Sequence, residues 1–195
     1  MQKIKKIVVI GPESTGKSTL CDLLAAHFGA QWVPEYARQY LLGHGMDYHY
    51  EDLLVIAKGQ VMLEDRMTAT LETSLADSPA GMAGFVPLFI DTDLYVMKVW
   101  SEFVFGRCDP WIIEQIAARQ YDLYILCNTD LPWTRDELRE YPDLQTREKL
   151  FYMYKDILVN QMTPWVEIAG DSEQRVETAK RSVKKFLDAS GQTSG

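Results

Sequence analysis

Residues 11–18, Gly11-Pro12-Glu13-Ser14-Thr15-Gly16-Lys17-Ser18, match the pattern G-x-x-x-x-G-K-[ST] at every fixed position. The glycines let the backbone wrap until several N–H groups converge on one anion. A helix beginning just after the loop adds the partial positive charge of its N-terminus. The pattern assigns Gly11, Glu13, Ser14, Thr15, Gly16, Lys17, Ser18 and Thr19 to nucleotide phosphates, with ATP the expected nucleotide. Lys17 is expected at the β- and γ-phosphates, and the Ser18 hydroxyl on Mg²⁺.

A second group of polar residues follows an apolar run. Leu88-Phe89-Ile90-Asp91 ends in a carboxylate, as a Mg²⁺-organising acid on a rigid strand requires. Asp91-Thr92-Asp93, read as extended, sets two carboxylates on one side. Asp91 is then the metal-side acid. Asp93 either binds a substrate hydroxyl or caps the helix starting near Leu94.

Val33-Pro34-Glu35 places a further carboxylate after a short strand, where it could take the proton of an attacking hydroxyl. Arg38, one helical turn on, suits phosphate or holds Glu35; a surface ion pair at a helix start is the plainer alternative. Between Trp133 and Lys149, Arg135, Arg139 and Arg147 stand in a polar stretch. That composition suits a lid closing arginines over a transferring phosphoryl group and excluding water, although the interleaved acids also suit a solvated helix. Arg139 is expected to act in catalysis and Arg135 at the nucleotide. Trp32, Tyr36, Tyr40, Trp100, Phe103 and Phe105 flank the expected acceptor region. Tyr36 and Trp100 are the aromatic candidates for stacking on a planar or cationic ring.

These residues need a frame. Ile4–Ile10 is an apolar run of the kind found in a parallel strand covered on both faces. A helix is expected over Lys17–Phe28, a short strand over Gln31–Glu35, and a long helix from Glu51 to about Thr73. Asp77–Pro87 reads as an exposed connection and Leu88–Asp91 as the third strand. Helices over Leu94–Phe105 and Pro110–Gln120, a strand over Leu123–Cys127, a helix over Leu144–Gln161, a strand over Trp165–Ile168 and a helix over Ser172–Leu187 complete the chain. The alternation predicts a three-layer αβα fold, with a five-stranded, mostly parallel sheet and ligands beyond the carboxyl ends of the strands. Residues 1–188 are expected to form one domain and 189–195 a disordered tail.

Composition sets bounds on function. A formal net charge of −8 opposes binding to a phosphate backbone, so no nucleic-acid partner is expected. No apolar run approaches the ~20 residues needed to cross a bilayer, and Ile7–Ile10 is too short for a signal core. Cys21, Cys108 and Cys127 have neither disulfide-framework nor zinc-site spacing, which suits reduced thiols. A cytoplasmic location without a membrane is expected. Oligomeric state is not legible.

Taken in order, several blocks resemble the NadR-type ribosylnicotinamide kinases. They are Gly11–Thr19, Val33-Pro34-Glu35-Tyr36-Ala37-Arg38, Ile56–Gln60, Phe89–Asp93, Tyr121–Tyr124 leading to Pro132-Trp133, and Asp136-Glu137-Leu138-Arg139 with Arg147 as a lid. They run from residue 4 to about residue 180. The resemblance implies a nucleoside-kinase branch of the P-loop fold and transfer of phosphate from ATP to the 5′-hydroxyl of nicotinamide riboside. Glu35 matches by position the base of related deoxynucleoside kinases. Longer members carry an adenylyltransferase domain and a DNA-binding segment, and neither activity is expected of these residues.

The combined reading is an Mg²⁺·ATP-dependent small-molecule kinase. Lys17, Glu35, Asp91 and Arg139 are its catalytic residues. Ser18 and Asp91 are the metal ligands, and Glu35, Tyr36, Arg38, Asp93 and Trp100 face the acceptor. The alternatives are a nucleotide-dependent regulatory ATPase or switch, and a kinase of another nucleoside or vitamin.

Overall fold

The computed structural model describes residues 3–77 and 84–192. Five strands, β1 (Lys3–Ile10), β2 (Gln31–Val33), β3 (Phe85–Asp91), β4 (Leu123–Cys127) and β5 (Trp165–Ile168), form one sheet in the order β2-β3-β1-β4-β5. Every pairing is parallel. The helices are α1 (Lys17–Phe28), α2 (Tyr36–His44), α3 (Tyr50–Ala76), α4 (Leu94–Phe105), α5 (Pro110–Ala118), α6 (Leu144–Val159) and α7 (Ser172–Gln192).

The continuous apolar runs of β1, β3 and β4 follow from burial on both faces. On one face Ile7, Val9, Phe89 and Ile125 pack against Leu20 and Leu24 of α1 and Ala179 and Val183 of α7. On the other, Val8, Ile10, Leu88, Ile90 and Leu126 meet Val99 of α4 and Leu150, Phe151 and Leu158 of α6. A third cluster, Ala37, Leu53, Ile56, Leu94, Met97 and Ile112, fastens α2 to α3, α4 and α5. The layers are those of an αβα P-loop fold.

A buried ionic knot lies off the sheet. Glu64 of α3, 1 % exposed, accepts from Lys6 Nζ at 2.8 Å and the Tyr121 hydroxyl at 2.8 Å, and pairs with Arg119 Nη2 at 3.0 Å. Such a group survives burial only because its charge is matched on several sides.

Several bounds differ from those expected. β3 starts at Phe85 rather than Leu88, so residues 85–87 are strand; Asp77 caps α3, and residues 78–83 of the expected connection lie outside the described residues. Pro87 is tolerated inside β3 because β2 pairs only with Leu88–Ile90, leaving the strand open on that side at Pro87. α2 is a separate helix hidden between Pro34 and Gly45. α7 runs past Leu187 to Gln192, and residues 193–195 of the expected tail lie outside the described residues.

Candidate functional site

The phosphate loop leaves β1 at Ile10 and enters α1 at Lys17. Gly11 has φ 145°, and a Cβ there would lie 2.7 Å from the Cys127 carbonyl oxygen, so a side chain would force the loop off the end of β4. Gly16, at φ 76°, turns the chain into α1. Within the loop, the Thr15 hydroxyl donates to the Pro12 carbonyl at 2.7 Å. The Lys17 ammonium folds back to the same carbonyl at 2.9 Å.

The loop is held from behind by Arg175 of α7, which is 3 % exposed. Its guanidinium donates to the carbonyls of Thr15 at 3.0 Å, Gly170 at 2.8 Å and Asn128 at 2.7 Å, and pairs with Asp130. Nothing local in sequence marks Arg175, whose loop partners lie far back in the chain.

Asp91 closes β3 beside the loop and is fully buried. Among the described residues, neither of its carboxylate oxygens has a hydrogen-bond partner. Burial pushes its pKa up to about 7, and the charge of Glu35 adds to the rise. Lys17 and the Ser18 hydroxyl oppose it, the Ser18 contact being too loose to count as a completed hydrogen bond. Two orphaned carboxylate oxygens beside a serine hydroxyl form a hard-oxygen donor set. Mg²⁺, bound through one or two protein oxygens plus substrate phosphates, fits it. Ser18 and Asp91 are the residues able to hold the ion.

The chain then turns at Thr92, a β-branched residue at φ 67°, a conformation that costs on the order of 1–3 kcal/mol. The segment is therefore not extended, and the turn sends Asp93 away from Asp91. Asp93 Oδ1 accepts from the Tyr95 amide at 3.0 Å, capping α4, and Oδ2 accepts from the Tyr124 hydroxyl at 2.8 Å. Burial raises its carboxyl to about 7 against the pull of both donors. Asp93 does not line the cavity beside the loop; it borders a small separate pocket with Arg119 and Tyr121.

A cavity of about 240 Å³ opens in front of the loop. One wall is the loop with Lys17 and Ser18. Glu35, the residue before α2, lines it with Arg38, and Trp100 and Phe103 of α4 with Tyr141 and Tyr154 form its aromatic wall. Met46, Val96, Leu138 and Glu140 also line it. Sequence patterning did not single out Met46 or Glu140, because residues between helices carry no periodicity, nor Val96, which reads as one more apolar residue of α4. The Trp100 indole N–H donates to the Tyr48 hydroxyl at 2.9 Å, and the two rings meet edge-on with centroids 4.9 Å apart.

Tyr36 does not reach this cavity. Its ring packs on α3, where a Cβ at Gly59 would lie 2.1 Å from it, and its amide donates to Gln60 Oε1 at 2.7 Å. Arg38 lines the cavity but extends to Asp136, with Nη1 3.2 Å from both carboxylate oxygens, an exposed ion pair between α2 and the lid.

A second cavity, of about 390 Å³, lies on the outer side of the loop between Thr19, Leu20 and Leu23 of α1, Leu131, Arg135 and Arg175. Arg139 borders both cavities and donates to the Thr134 carbonyl. Arg147, expected in the lid, is instead 4 % exposed on α6 and directed at the Leu131 carbonyl at 3.5 Å. The loop, Glu35, Arg38, Arg139 and Trp100 are thus brought to one cavity, with Asp91 beside it and Arg135 behind it; Tyr36 and Asp93 are not.

Known proteins share this fold. The chain is 26% identical over 193 residues to the trifunctional NAD biosynthesis/regulator protein NadR of Salmonella typhimurium, covering 96% of this chain and 44% of that protein. It is 28% identical over 169 residues to the NadR of Escherichia coli, covering 85% and 38%. The chain thus spans less than half the length of these relatives. Among solved structures, a NadR protein in complex with NR superposes with TM-score 0.72 at 23% identity, over 94% of this chain and 50% of that one. A NadR complex with NAD and AMP-PNP gives 0.69 at 22%, over 94% and 49%. The thymidylate kinase of Ehrlichia chaffeensis gives 0.62 at 14%, over 95% and 99%. These similarities establish the kinase-type P-loop fold. A family model described as an AAA domain matches residues 6–175, nearly the whole of the described fold, and the chain belongs to that AAA-domain family.

Proposed function

We propose that this protein transfers the γ-phosphoryl group of ATP to a hydroxyl of a small ribosyl acceptor, and that the acceptor is nicotinamide riboside. The observation that carries the reading is that one cavity is lined by the phosphate loop, by Glu35 and by Trp100, Phe103 and Tyr141 together. A hydrolytic switch has no need of an aromatic chamber facing its phosphate loop.

The loop amides and Lys17 hold the phosphates, and the outer cavity beside Arg135 accepts the base. Ser18 and Asp91 would hold Mg²⁺, which when bound would neutralise charge on the transferring group. Glu35 accepts the proton of the attacking hydroxyl, and Arg139, bordering both cavities, meets the charge that develops between donor and acceptor. The aromatic wall and the carboxylates of Glu35 and Glu140 suit a planar cation such as a pyridinium. Relatives named for NAD biosynthesis, and a similar fold crystallised with NR, support the choice of acceptor. The free cysteines suit a reducing compartment such as the cytoplasm.

The test is ADP release from Mg²⁺·ATP across a panel of nucleosides and vitamins. Strong stimulation by nicotinamide riboside is expected. Stimulation by a different nucleoside overturns the choice of acceptor, and slow hydrolysis indifferent to all of them overturns the kinase.

A further inference from the structure

Glu13 stands inside the phosphate loop, where a negative charge repels the ligand the loop exists to hold. In the structure its carboxylate is engaged by the segment 133–141. Oε1 accepts from the Trp133 indole N–H at 3.2 Å and the Tyr141 amide at 2.7 Å, and Oε2 accepts from the Glu140 amide at 2.9 Å. The next loop residue repeats the pattern, Ser14 Oγ accepting from the Thr134 amide at 3.0 Å. Both ends of an excursion without helix or strand are thereby pinned to two adjacent residues of the loop.

The bonds continue on the far side. Glu140 Oε2 accepts from the Tyr48 hydroxyl at 3.0 Å, and the Tyr48 oxygen accepts from the Trp100 indole at 2.9 Å. A hydrogen-bonded path therefore leads from the phosphate loop, through the lid backbone, to the aromatic wall of the acceptor cavity. Charge-assisted bonds from N–H donors to a carboxylate are the stronger kind, and two amides and one indole donate to this one side chain.

We propose that Glu13 is a positioning residue that fastens the lid to the phosphate loop, and through Glu140, Tyr48 and Trp100 sets the acceptor wall. Its effect on the acceptor rests on the kinase reading; its hold on the lid does not. The negative charge in the loop then has a use: it orders the lid amides and is itself neutralised by them. Glu13→Ala removes both acceptor oxygens and all three hydrogen bonds. Glu13→Gln keeps one oxygen for Trp133 and Tyr141 but presents an NH₂ group to the Glu140 amide.

The experiment combines amide hydrogen exchange with steady-state kinetics on the full chain. In Glu13→Ala, exchange over 133–141 is expected to quicken by about tenfold or more, with Glu13→Gln between it and wild type. Peptides from β1 and β4 should exchange as in wild type, which separates loosening of the lid from loss of the fold. The KM for nicotinamide riboside should rise by about tenfold, more than the KM for ATP, and the share of ATP hydrolysed without product should increase. Wild-type exchange over 133–141 in Glu13→Ala overturns the proposal, as does a KM for ATP that rises while the acceptor KM stays put. A wild-type enzyme that no acceptor stimulates overturns the kinase reading, and the exchange measurement still decides the fastening.

Discussion

The guanidinium of Arg175 donates through Nη1 to the main-chain carbonyl of Thr15 at 3.0 Å, so the last helix holds the first ligand-binding loop in shape. The same side chain reaches the Asn128 and Gly170 carbonyls, joining the ends of β4 and β5 to the loop. Arg175→Ala is expected to weaken nucleotide binding by about tenfold to a hundredfold, the worth of charge-assisted bonds lost from a buried site. Titration calorimetry with a non-hydrolysable ATP analogue measures it. An affinity equal to wild type removes Arg175 from the loop's support.

Asp91 and Ser18 form a hard-oxygen pair beside the loop, and the Asp91 carboxylate, without a hydrogen-bond partner among the described residues, is free to take the proposed cation. Asp91→Asn is expected to abolish turnover while leaving the thermal transition of the ligand-free protein intact. Chelation of Mg²⁺ should abolish the wild-type rate in the same assay. Full activity of the Asp91→Asn protein would exclude Asp91 from the metal site.

Glu35 faces the cavity and raises the pKa of Asp91 through its own charge. Loss of a positioned base costs about 10²–10⁴-fold in rate. Glu35→Gln should therefore lower kcat by that order, with a much smaller change in the KM for ATP. A comparable fall in both parameters would instead mark Glu35 as part of nucleotide binding.

Trp100 and Tyr48 meet edge-on and share a hydrogen bond at the acceptor wall. Trp100→Ala should raise the acceptor KM by about tenfold or more, the loss of a stacking face worth roughly 1–2 kcal/mol. Tyr48→Phe keeps the ring and loses only the hydroxyl, so a smaller rise is expected. Product formation at varied acceptor concentration distinguishes them, and equal KM values would show that neither residue meets the acceptor.

Glu64 gathers Lys6, Arg119 and Tyr121 around one buried carboxylate. Glu64→Ala strands two cations and should cost on the order of 3 kcal/mol. For a domain of this size that lowers Tm by roughly 6–12 °C in calorimetry. An unchanged Tm would mean that water replaces the carboxylate at no cost.

The phosphate loop was legible because its function is written in contiguous residues whose spacing is fixed by the ligand. The order of strands and helices was legible for a similar reason, since each apolar run carries its own period. Contacts across the fold were not. Arg175 looks like one charge among several on a polar helix, and its role exists only because α7 packs beside α1. Arg147 reads as a lid residue from its neighbours, yet its place on α6 turns it into the interior. Asp93 and Asp91 look paired while the chain between them is taken as extended; the left-handed turn at Thr92 separates them. Tyr36 sits next to Glu35 in sequence, but entry into α2 sends its ring toward Gly59. The lid's fastening to Glu13 was hidden because backbone amides leave no mark in a sequence.

The strand order has a consequence for the way the chain is made. β1 pairs only with β3 and β4, and its first partner residue, for Lys3, is Phe85. As the chain emerges from the ribosome, Ile7-Val8-Val9-Ile10 must wait without a neighbouring strand while α1, β2, α2 and α3 are synthesised. A bare, uncharged β-forming run is a hazard for association between nascent chains. The stretch that later forms the centre of the sheet is thus the segment most in need of protection before β3 arrives.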